Sequence, residues 1–118
     1  MKFVVTPQSI PDVLLIESTV YSDDRGYFME CFHQKDFEKI LPGVEFVQEN
    51  ESQSSYGVLR GLHFQKEPHA QAKLVRVAQG TIWDVAVDIR PESPTFKQYC
   101  SVELSPRFRY KSQMLSFA

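Results

Sequence analysis

The chain has 118 residues, 42% of them hydrophobic and 24% charged, the balance of one small globular domain with a modest core. Thirteen Lys and Arg against fifteen Asp and Glu leave a formal charge of −2. That balance argues against a generic nucleic-acid or acidic-membrane surface and leaves room for a local basic pocket. The apolar run Val13–Ile16 is far too short to span a bilayer, and the N-terminus has a short apolar patch without a signal-peptide pattern. Cys31 and Cys100 lie far apart and form no CxxC pair, so two free thiols in a reducing compartment are expected. The composition predicts a soluble cytoplasmic domain.

Short β-rich runs separated by turn residues dominate the chain. Val13–Ile16 comes first, then Thr19–Tyr21. Ser22–Gly26 is a turn cluster, after which Tyr27–Phe32 resumes as an aromatic strand. Phe37, Ile40 and Leu41 stand at helical spacing and predict one short helix near 35–41, stopped by Pro42-Gly43. Val44–Gln48 and Gly57–Gln65 flank a polar stretch, and Lys66–Gln71 reads as a loop. Ala72–Val77, Thr81–Ile89 and Tyr99–Leu104 read as strands, punctuated by Gly80 and Arg90–Pro94. Many short strands and little helix predict an antiparallel sandwich or barrel.

Within Thr81–Ile89 the alternate positions Trp83, Val85, Val87 and Ile89 are apolar, while the other face carries Ile82, Asp84, Ala86 and Asp88. Alternation alone favours the apolar side as core and the polar side as solvent-facing. In a barrel with a polar cavity, the polar face points inward to a ligand instead.

Gly57–Gln65 is the segment densest in chemistry. His63 titrates in the range that acid–base catalysis uses, although a histidine in a β run is more often simply hydrogen-bonded structure. Arg60 is either a solvated strand residue or a bidentate grip on phosphate or carboxylate. Strict alternation puts Arg60 and His63 on opposite faces, and Gly61 between them is the natural place for a twist or bulge. Lys73 reads as a solvated edge charge or as an electrostatic partner for an enolate oxygen. His33, His63 and His69 show no metal-ligand spacing, so no metal is expected. A phosphate loop, nucleophile elbow or Cys/His pair is likewise missing, and no cofactor is expected.

Several stretches, taken in order, resemble the dTDP-4-dehydrorhamnose 3,5-epimerase family. They are Asp24–Glu30, Phe46–Ser52, Gly57–Gln65, Ala72–Val77, Gly80, Asp84–Arg90 and Ser93–Phe96, centred on Arg60-Gly61-Leu62-His63-Phe64-Gln65. The resemblance implies an all-β, cupin-like jelly-roll β-barrel that is metal-free and dimeric. It also implies inversion at C3 and C5 of a dTDP-linked 4-keto-6-deoxyhexose. By that resemblance His63 removes the proton alpha to the ketone and Lys73 steadies the enolate. Arg60 binds near the nucleotide phosphates, while Arg25, Glu30, Gln48 and Asn50 match nucleotide-contacting positions, some reaching across a homodimer.

The matching stretches run from about Val13 to Leu104. They divide the chain into 1–104, the N-terminal part of the barrel, and 105–118, a divergent tail. The family's proline–glycine–histidine segment, tyrosine donor and orienting aspartate have no counterpart in that tail. Tyr110 is not at the donor's motif, and Asp84 and Asp88 are not assumed to replace the dyad aspartate. The expectation is a shortened family member with an incomplete barrel and weak or lost activity. Two alternatives stay open: a noncatalytic sugar-nucleotide-binding remnant, and a related 3-epimerase or ketoisomerase.

Overall fold

The computed structural model describes residues 3–106 and 112–117. β1 (Phe3–Pro7) and β2 (Leu14–Ser18) form an antiparallel hairpin, with Phe3 opposite Ser18 and Pro7 opposite Leu14. Pro7 sits at the strand end, where its lack of an N–H costs no ladder bond. The connecting turn is closed by Gln8 N–H donating to the Val13 carbonyl at 2.8 Å. β3 (Val20–Asp23) and β4 (Gly26–Met29) form a second ribbon. At its tip the Asp23 carboxylate accepts the Arg25 N–H at 2.8 Å, an Asx turn followed by Gly26 at φ +139°.

The helix α1 (Gln34–Ile40) falls where the Phe37–Ile40–Leu41 spacing predicts it. His33 enters in extended conformation without a side-chain cap, Asp36 lies in the first turn and Lys39 in the last, charges that favour the helix dipole. Gly43 at φ +82° follows, and its N–H is held by Glu38 at 3.0 Å. The remaining strands are β5 (Ala72–Arg76), β6 (Ile82–Val87), β7 (Tyr99–Leu104) and β8 (Ser112–Phe117).

The strands make three antiparallel sheets: a four-stranded one ordered β1-β2-β8-β5, and the pairs β3-β4 and β6-β7. Period-two alternation explains how the large sheet is covered on both sides. Leu14, Ile16, Ala72 and Leu74 pack with Phe3 and Phe37 on the helix side. Val13, Leu15, Val75 and Val77 pack with Ala86, Cys100, Val102 and Leu104 of the β6-β7 hairpin on the other. Phe37 is 1% exposed and meets Phe3 edge-on, ring centroids 5.2 Å apart. Burying a side chain of this kind stabilises by roughly 1.5–3 kcal/mol, so the apolar seam fixes where the helix lies.

The architecture is thus all-β with one short helix, as the sequence predicts, and among the described residues the three sheets do not join into one closed barrel. Three local readings change. Residues 112–117, read from sequence as part of a divergent tail, form the inner strand β8, antiparallel to both β2 and β5; Tyr110 lies outside the described residues. Val44–Gln48 and Gly57–Gln65 belong to no strand. In the second segment Leu59 is 92% exposed and Leu62 72% exposed. Apolar alternation makes a strand only where another edge is present to pair with it, and no described edge meets this segment.

Candidate active site

β6 supplies the first site residues, with its polar face turned inward. Trp83 is 72% exposed and Val85, Val87 and Ile89 are also exposed, whereas Asp84 and Ala86 are half-buried and Asp88 is buried. The expectation that the apolar side forms the core therefore fails. Ala86, flanked by Cys100, Val102 and Leu104 of β7, already closes the seam against the large sheet, and the two aspartates flanking Ala86 in the alternation share its face.

Those aspartates serve different ends. Asp88 accepts from Arg90 Nε and Nη2 at 3.0 Å each, from the Arg90 N–H at 3.0 Å, and from the hydroxyls of Ser93 and Thr95. The Arg90 bonds, strengthened by those hydroxyls, hold its carboxyl far below the usual carboxylate range against the cost of burial. Arg90 also reaches Asp12, so the β6-β7 loop is pinned to the turn between β1 and β2. Asp84 has a buried Oδ2 with no hydrogen-bond partner. Burial raises its pKa, opposed by the Val85 N–H and by the charge of Lys73. Burial likewise pushes the Cys100 thiol up, with the Asp84 charge adding to it.

Lys73 lies on β5 opposite Ser116 of β8, and its alternation matches Val75 and Val77, which face the β6-β7 hairpin. The structure thus brings Lys73 and Asp84 into one electrostatic neighbourhood, which the sequence reading missed. The available signal was the polar member of a strongly alternating strand, because a carboxylate oxygen buried without a partner is costly unless something else uses it.

The other candidates lie on connections. His63 is on the exposed Gly57–Gln65 segment, and among the described residues no hydrogen bond or ion pair joins it to Arg60, Lys73 or Asp84. Gly61, at φ +122°, breaks the alternation where the sequence predicts a twist. A Cβ there would lie 3.8 Å from both the His63 N and Nδ1, so the imidazole folds back over the glycine. Arg60 donates from Nε to Ser54 Oγ at 2.8 Å and from Nη2 to the Gln53 carbonyl at 3.3 Å. Arg25, 89% exposed, pairs with Asp23 at 2.6 Å on the β3-β4 turn. Glu30 is half-buried just after β4, while Gln48 and Asn50 are exposed outside regular structure.

Glu30, His33 and Asp36 also bring one ligand-capable atom each within 4.8 Å of one another. His33 Nδ1 lies 3.4 Å from Asp36 Oδ2, a spacing that an i,i+3 pair at the helix start already explains. Among the described residues no helix is long and apolar enough to cross a membrane. The arrangement offers an imidazole on a loop, an ammonium beside a partly buried carboxylate, and a tethered guanidinium. These groups stand on separate elements, and among the described residues no hydrogen bond or ion pair links the imidazole to the other two.

The family model described as dTDP-4-dehydrorhamnose 3,5-epimerase matches residues 7–114, which extends beyond the Leu104 limit read from the motifs. The chain is 57% identical over 102 residues to dTDP-4-dehydrorhamnose 3,5-epimerase of Shigella flexneri, an overlap of 86% of this chain and 56% of that protein. It therefore spans a little over half the length of the curated relatives it matches. Among solved structures it is similar to dTDP-6-deoxy-D-glucose-3,5-epimerase of Legionella pneumophila in complex with dTDP-4-keto-L-rhamnose. The TM-score there is 0.87 at 43% identity, covering 96% of this chain and 59% of the other. It is also similar to the Bacillus anthracis dTDP-4-dehydrorhamnose 3,5-epimerase with TDP and PPi bound, at a TM-score of 0.84 and 38% identity, covering 98% and 70% of the two chains. These neighbours share the cupin-like, mostly stranded architecture.

Proposed function

The chain belongs to the dTDP-4-dehydrorhamnose 3,5-epimerase family, and on that premise we propose that it epimerises a dTDP-linked 4-keto-6-deoxyhexose at C3 and C5. The observation that carries this reading is the inward polar face of β6, which leaves Asp84 partly buried, without a hydrogen-bond donor on Oδ2, and within the field of Lys73. Lys73 itself is exposed, so its ammonium remains accessible beside the half-buried carboxylate to meet negative charge developing on a ketone oxygen.

His63 takes the proton from the carbon beside the ketone, and the released electron pair moves into the carbonyl to form the enolate. Lys73 steadies the enolate oxygen, and return of a proton to the opposite face of the carbon inverts it. A positioned base of this kind contributes on the order of 10²–10⁴-fold in rate. Arg60 grips the diphosphate, with Arg25, Glu30, Gln48 and Asn50 completing the nucleotide contacts. A homodimer suits the exposed Tyr21 and Phe28, which stand opposite each other on one face of the β3-β4 ribbon, since a two-stranded ribbon gains stability only when its apolar face is covered.

A second reading, a noncatalytic binder of the same sugar nucleotide, is favoured by one observation. Among the described residues no carboxylate or hydroxyl hydrogen-bonds His63 to fix its tautomer. Incubation with the keto-sugar nucleotide in D2O, read by NMR at C3 and C5 alongside a dTDP titration, separates the two. Binding with deuterium uptake supports the epimerase; binding without uptake supports the binder; neither refutes both.

A further inference from the structure

We infer that Ser54 is a positioning residue for diphosphate binding, acting through Arg60; this rests on the reading of Arg60 as the diphosphate grip. A guanidinium has two useful hydrogen-bonding forks. The side-on fork is formed by Nε and Nη2, and the end-on fork by Nη1 and Nη2. In this chain the side-on fork is occupied from within the same loop. Nε donates to Ser54 Oγ at 2.8 Å and Nη2 donates to the Gln53 carbonyl at 3.3 Å.

Those two acceptors satisfy one edge of the guanidinium. Among the described residues Nη1 has no partner, so the end-on fork is left for a ligand. A planar fork with its far edge fixed meets phosphate oxygens with less rotamer freedom to lose, which is where an exposed arginine gives up most of its affinity.

The loop is shaped to make this reach. Between Ser54 and Arg60 the chain turns back, with Val58 N–H donating to the Ser55 carbonyl at 3.3 Å and Gly57 at φ +83°. The serine is therefore brought beside a side chain six residues later. Neither acceptor carries a formal charge, so Arg60 is oriented without being neutralised. Arg25 differs: its guanidinium is paired with the Asp23 carboxylate at 2.6 Å.

The test is calorimetric titration of the full chain with thymidine and with thymidine diphosphate. The ratio of the two dissociation constants reads the diphosphate contribution alone. The wild-type chain should bind the diphosphate more tightly, and Arg60→Ala should reduce that gain by at least about tenfold. Ser54→Ala should reduce it about fivefold, the value of one hydrogen bond. Ser54→Thr, which keeps the hydroxyl, should restore it, and thymidine affinity should stay unchanged in all three variants.

If Arg60→Ala lowers the gain and Ser54→Ala does not, the inference about Ser54 falls and Arg60 stands. An equal loss of thymidine and diphosphate affinity in Ser54→Ala also overturns it, because the serine would then only hold the loop. Absence of a diphosphate gain in the wild type, or its survival in Arg60→Ala, overturns the reading of Arg60 and the inference with it.

Discussion

Arg90 closes Nε and Nη2 on the two carboxylate oxygens of Asp88 at 3.0 Å each, a bidentate pair whose acceptor is nearly inaccessible and whose donor also holds Asp12. This pair ties the β6-β7 loop to the β1-β2 turn and so sets where β6 presents Asp84. Asp88→Asn keeps the shape but removes the charge that three side chains share. It should lower stability by about 2–3 kcal/mol at neutral pH, read by urea unfolding. The carboxyl's pKa is depressed in the fold, so its stabilisation is complete above the ordinary value of about 3.9 and is lost as pH falls toward the folded value. The gap between wild type and variant should therefore narrow below about pH 4.

Asp84 carries the opposite sign. Burial raises its pKa, so ionising it costs folding free energy. That cost is present in full above the raised pKa and vanishes below the ordinary value. Asp84→Asn should raise the melting temperature at pH 7, and the gain should shrink as the medium is acidified. The same variant should lower epimerisation, because Lys73 loses its carboxylate neighbour. Stability gained with function lost marks a residue kept for chemistry rather than for packing.

Gly61 has a purely conformational role. Its φ of +122° lies where a Cβ is unfavourable, although the space beside it is open to ordinary contact at 3.8 Å. Gly61→Ala should cost about 1 kcal/mol or more through the backbone alone. It should also slow turnover more than it weakens dTDP binding, since the imidazole of His63 folds back over this position. Kinetics at saturating substrate and a dTDP titration check the two halves.

Much of the fold was legible in the sequence. The helix followed from Phe37, Ile40 and Leu41 ahead of Pro42-Gly43, and β7 from the run Tyr99–Leu104, because periodicity and stop signals are local. Pairing is not local. Gly57–Gln65 has the composition of a strand but no described edge beside it, and β8 was hidden in a tail with no family-like motif. Alternation in β6 announced two faces without saying which is inside; that depended on Ala86, Cys100 and Leu104 meeting Val13 and Val77 across the sheets. The site divides in the same way. Motif order pointed to His63, Lys73 and Arg60, whereas Asp84 and Ser54 became visible only once β6 had a side and the loop had a turn.

His63 is the base proposed to take a proton from the carbon beside the sugar's ketone. Deuterium uptake at C3 and C5 of the dTDP-linked 4-keto-6-deoxyhexose, followed by NMR in D2O for the wild-type chain and His63→Asn, tests it most directly. Substrate-dependent uptake by the wild type, slowed roughly 10²–10⁴-fold in the variant with dTDP affinity retained, is the predicted result. No uptake by the wild type, or equal uptake by both, would contradict it.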